Sequence, residues 1–167
     1  MEMRTFKENI ECTEKHLEFI YENLHEISEK ISTLAPDFLD TINKLRGYIL
    51  LYYRTIQEIK IGLNQLESNY NEEIFNYIYN KLDNIRTNLR TIRKILHNMK
   101  NTIIDREYEK LLKNTEPSKL KDAIINYHYP LEIASLLEEI MDNRGNLYAA
   151  ERHLTEFLTA LQNKFKK

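Results

Sequence analysis

Valine and tryptophan are missing from this chain of 167 residues, and glycine and proline occur three times each. Strand-rich folds turn every 8–12 residues or so and spend glycine on those turns, so three glycines exclude a sandwich or barrel. The lack of valine points the same way. One cysteine, Cys12, excludes an internal disulfide framework and a cysteine-based zinc cluster, and fits a reducing compartment. There is no apolar leader near the start and no Asn-x-Ser/Thr acceptor site, so a cytoplasmic location is expected. The longest apolar run, positions 48–53, is far short of the ~20 residues that span a bilayer. A formal net charge of -2 argues against a chain that attracts nucleic acid with its whole surface.

What is present is apolar periodicity. A 42% apolar content suffices for a core, and the length fits a single helical domain over 1–167. Residues 3–34 carry a seam of Phe6, Ile10, Leu17, Ile20, Leu24, Ile27, Ile31 and Leu34, with Thr13 its polar member. The steps alternate three and four, which predicts one long helix. Pro36 stops it and suits the start of a second helix running to about Glu67, with a seam from Ile42 through Tyr52 to Leu66. Gly47 and Gly62 lie inside that helix at a cost of about 1 kcal/mol each relative to alanine, which predicts a close helix contact at both.

Asn69 or Asn71 caps a third helix reaching about Lys113, with a seam from Phe75 to Ile103. A short helix is expected over 118–128, ended by Pro130. A last helix, continuous or kinked at 142–146, runs to about Phe165. Short links between long helices force antiparallel neighbours. The fold expected is all-α: a long antiparallel four-helix bundle, with a short extra helix between the third and fourth long helices.

Chemistry-bearing patterns are few. On the third helix Arg86, Arg90, Arg93, His97 and Lys100 recur at steps of four and three, with Lys94 beside them, and no acid occurs over 84–104. Such a stripe spaces positive charge as phosphate binding requires, and equally suits a partner protein, a solvated face or an interhelical charge match. The acids of the first helix sit mostly on its outer face and are badly placed to neutralise it. On the last helix Arg144 and Glu151 both fall on the apolar seam. They are candidates for a buried ion pair that fixes register. The simpler expectation is a local rotation of the seam that turns Met141 and Tyr148 inward and releases both charges to water.

Glu22-x-x-His25 has the spacing used in carboxylate-bridged di-metal bundles, but it occurs once and on an outer face. Cys12 and His16 make only two ligands, so no metal and no other cofactor is expected. Tyr48, Tyr52 and Tyr53 with Arg46 and Arg54 could stack bases, as could Tyr127 and Tyr129 around His128, though such tyrosines more simply fill core edges.

Arg90 and His97 stand as Arg-x6-His, with the polar Thr91 after the arginine. This spacing resembles the Arg-x4-6-His motif of the small helical-bundle nucleases called HEPN domains. The resemblance covers two residues and implies metal-independent RNA cleavage by that pair. In that family the motif lies near the last bundle helix, and here it lies in the third.

The reading that follows is a non-enzymatic scaffold or protein–protein interaction module, with a protein partner that includes a second copy of the chain. A homodimer is expected, because apolar residues of the third helix, Tyr108 and Leu112 among them, extend beyond the first helix's length. The alternative is a nucleic-acid-associated protein that uses the third helix. No membrane association is expected, because the seams are too narrow for an interfacial helix.

Overall fold

The computed structural model describes residues 5–114, 116–119, 122, 128–141 and 147–166. Among these the chain is helical without strands. Helix α1 spans Phe6–Leu34, α2 Leu39–Ser68, α3 Glu72–Asn114, α4 His128–Met141 and α5 Leu147–Phe165. The expected short helix over 118–128 falls largely outside the described residues. Among the described residues near its start is a 3-10 turn, Pro117–Lys119. Whether the last limb breaks at 142–146 also lies outside them.

The helix ends follow local chemistry. Thr5 caps α1 by accepting the Glu8 amide at 3.1 Å. Pro36 opens a 3-10 turn, Pro36–Phe38, before α2 starts at Leu39. Of the two asparagines before α3, Asn71 makes the cap, its Oδ1 accepting the Ile74 amide at 3.2 Å. Glu72 and Glu73 then fill the first turn, where the helix dipole favours them.

The cross-helix contacts fix direction. Gln57 donates to Glu14 and Tyr53 to Glu18, whereas Arg46 donates to Tyr21 further along α1, so α1 and α2 run antiparallel. Gly62 meets Ile78, and earlier on α2 Tyr52 is hydrogen-bonded to Asn88 further along α3, so α2 and α3 do the same. Along α3, Lys100 engages Glu138 of α4, then Arg93 engages Glu151 and Arg86 engages Thr155, both of α5. The fourth limb, α4 followed by α5, therefore descends α3 and closes onto α1, where Phe6 stacks on Phe157 at 6.2 Å. The result is an antiparallel helical bundle of four limbs.

The seams form one core. Every seam position expected on α2 and α3 is buried, and on α1 all but the terminal Phe6 and Leu34 are. In the fourth limb Ile133, Leu137, Ile140, Leu147, Leu154, Leu158 and Leu161 are buried, with Phe157 an additional core residue. Thr13 is buried too and donates to the Asn9 carbonyl at 2.8 Å. The same carbonyl lies 3.0 Å from Nε2 of the buried His153. A carbonyl only accepts, so His153 carries its hydrogen on Nε2 in that bond.

The two glycines differ. At Gly62 an added Cβ would stand 2.9 Å from Cδ1 of Ile78, so the expected close contact is present. At Gly47 an added Cβ would meet nothing within 4 Å, which corrects the expectation there. Gly47 lies on the outward side of α2, away from the other described helices.

Candidate functional site

The positive stripe of α3 faces the fourth limb obliquely, because its members lie one step round the helix from the core seam. Arg90, half-exposed, sends Nε to Glu151 Oε1 at 3.1 Å. Arg93 sends Nε to Glu151 Oε2 at 2.7 Å and Nη2 to Oε1 at 3.4 Å. Its guanidinium also stands 5.4 Å from the ring centroid of Tyr148. Arg86 bridges Asp83 at 2.5 Å and the hydroxyl of Thr155 at 3.2 Å. Thr155 in turn donates to the Glu151 carbonyl at 3.0 Å, which ties the cluster to the α5 backbone. Lys100 pairs with Glu138.

Glu151 is the centre of this arrangement, with a side chain only 6% exposed. A lone carboxylate at that depth would carry a heavy desolvation cost, and two guanidiniums offset it. The expectation that the seam rotates to release this charge to water is therefore wrong for Glu151. It is wrong also for Tyr148, which is exposed, whereas Met141 does turn inward. Arg144, the partner suggested by the seam, lies outside the described residues. Arg90 and Arg93 supply the counter-charge instead.

The acids that meet the stripe are Asp83 of α3 itself, Glu138 of α4 and Glu151 of α5. The α1 acids engage elsewhere: Glu14 and Glu18 accept from Tyr53, and Glu26 pairs with Lys30. Glu138 was not singled out from the sequence. The available signal was its place directly after the seam residue Leu137, at the flank where interhelical charge pairs form.

Beyond these pairs an open groove of about 450 Å³ runs between α3 and α4, lined by Arg93, Lys94, His97, Asn98, Glu138 and Met141. Glu138 is held below the usual carboxylate range, first by its hydrogen bond from Lys100 and then by the positive charge of Lys100 and His97, with burial opposing. Lys94 and His97 are exposed on the α3 side of the groove.

The remaining candidates separate. Arg90 and His97 are two turns apart, with the arginine held by Glu151. Thr91 donates to the Thr87 carbonyl of its own helix at 3.3 Å. His25 lies beside Glu29 at 3.1 Å on an exposed face. Among the described residues no three His, Cys, Asp or Glu side chains are grouped to hold an ion. Tyr52 is buried and stacks on Tyr48 at 6.5 Å, and Tyr53 is taken by the α1 acids. Tyr127, and the side chains of His128 and Tyr129, lie outside the described part. Among the described residues no helix is long and apolar enough to cross a membrane.

No family model, no curated protein and no solved structure matches the chain.

Proposed function

We propose that this chain is a non-enzymatic protein–protein interaction module, a helical scaffold whose outer faces dock other proteins. The observation that carries the reading is the outward side of α2. Leu50 and Leu51 are both 54% exposed there beside the open space at Gly47, with Tyr48, 50% exposed, at the edge of that side. Exposed apolar side chains grouped on one helix face are the usual mark of a docking surface. The α3 stripe supports the same reading from the other side. Arg86, Arg90, Arg93 and Lys100 are spent on acids within the chain.

The test compares the wild-type chain with a Leu50→Asp/Leu51→Asp variant, in sedimentation and in affinity capture. The reading expects at least one protein complex, homotypic or with another protein, that the variant loses while remaining helical. A chain found only at 20.1 kDa, with no captured protein sensitive to the substitution, overturns it.

A second reading is nucleic-acid association through the α3–α4 groove, supported by Lys94 and His97 at its mouth. Glu138 in the same groove works against a polyanion. RNA cleavage by Arg90 and His97 finds less support, because Arg90 is committed to Glu151.

A further inference from the structure

The outward side of α2 is its own complement. Lys44, Leu51 and Glu58 stand seven residues apart on one line of the helix, and all three are exposed. On the adjoining line lie Gly47 and Arg54, and Tyr48 flanks the pair. Leu51 is 54% exposed and Tyr48 50%. Neither Lys44 nor Arg54 meets an acid among the described residues.

An antiparallel second α2, related by a two-fold axis passing Leu51, sets each residue against the one equally far on the other side of Leu51. Lys44 then faces Glu58 of the second copy, and the symmetry repeats the pair. The two pairs stand about 10 Å either side of Leu51, from a rise of 1.5 Å per residue. Gly47 shares a flank with Arg54 of the second copy, and with no side chain on Gly47 the two helices can approach closely there. Leu51 meets Leu51 at the centre. A two-fold interface demands this kind of self-complementarity, with one patch serving both subunits.

We infer that the partner docked on α2 is a second copy of this chain, held antiparallel through Lys44–Glu58 pairs about a Leu51–Leu51 contact. The inference rests on the interaction-module reading and adds the partner and its register.

Sedimentation equilibrium at ~0.1 M salt, with helicity followed by circular dichroism, tests it on four chains: wild type, Lys44→Glu, Glu58→Lys and the double exchange. Both altered sites are exposed, so each variant should stay folded. The expected result is a wild-type dimer, association weakened at least tenfold in each single variant, and recovery in the double exchange. A wild-type monomer across tens of micromolar overturns the inference. So does a dimer indifferent to the single exchanges, or one that the double exchange does not restore. A monomer that still captures another protein through Leu50 and Leu51 overturns the second copy alone and leaves the interaction module standing.

Discussion

Arg93 grips Glu151 with two nitrogens, at 2.7 and 3.4 Å, and the carboxylate it holds is almost wholly withdrawn from water. The guanidinium itself stays partly solvated, with a side chain 33% exposed. The pair is therefore asymmetric in what each partner loses when the other is removed.

The asymmetry gives a stability prediction. An Arg90→Met/Arg93→Met chain leaves a buried carboxylate without counter-charge and should lose about 3 kcal/mol in urea unfolding. Glu151→Gln leaves two arginines that can turn to water and should lose only about 1 kcal/mol. A larger loss from Glu151→Gln than from the arginine double variant would contradict this account.

Acid should unfold the chain partly through Glu138 and Asp37. Both carboxyls are held below their ordinary values, Glu138 chiefly by its bond from Lys100 and Asp37 chiefly by its bonds from Arg106. A depressed folded value contributes stability that is complete above the unfolded pKa of about 4 and disappears as pH falls through the folded value. The thermal midpoint should thus change little between pH 7 and pH 5 on account of these groups, then drop below about pH 4. Lys100→Met/Arg106→Met should flatten that drop. Both pairs are exposed, so the flattening should be modest and should shrink in high salt.

The two helical glycines should respond oppositely to substitution. Gly47→Ala adds a methyl to open space and raises helix propensity, so it should stabilise the chain by up to about 1 kcal/mol. Gly62→Leu drives a side chain into the fully buried Ile78 and should cost about 1–3 kcal/mol. Urea unfolding at sub-micromolar concentration reads both without a contribution from association.

How much of this was legible beforehand depended on what kind of signal each residue leaves. Ile42 through Leu66 and Phe75 through Ile103 repeat at helical spacing, and an apolar period records which side is buried whatever the neighbour is. Gly47 and Gly62 look identical in the sequence, because a glycine states that space is required and not who fills it. Glu151 was visible as an anomaly on the seam, but its partners are set by the rotation of α3 about its axis, which no local pattern encodes. Its connection to Arg90 and Arg93 needed the packed helices. The Asn9 carbonyl shared by Thr13 and His153 left no trace at all, since a backbone acceptor has no letter in the sequence.

The nucleic-acid reading has a cleaner test than wholesale charge reversal of the stripe. Turning Arg90 and Arg93 into glutamates would set three carboxylates together at Glu151 and destabilise the bundle, which confounds loss of binding with loss of fold. Lys94→Glu alters the groove without touching that cluster. Titration at ~50 mM salt with single- and double-stranded DNA and RNA should show no binding by the wild-type chain. Binding that weakens steeply with salt, and that Lys94→Glu abolishes, would promote this reading over the protein-docking one.

The bond between Asn9 and His153 joins positions 144 residues apart. A ribosome makes α1 first among the five helices and α5 last. The hairpin of α1 and α2 can assemble early, but the side of α1 that receives Phe157 and His153 stays uncovered until almost all of this sequence has been made. Through that interval Phe6 and the rest of that side stay open to water. Nascent chains stalled between α3 and α5 should therefore be the species that holding chaperones collect and that aggregates recruit.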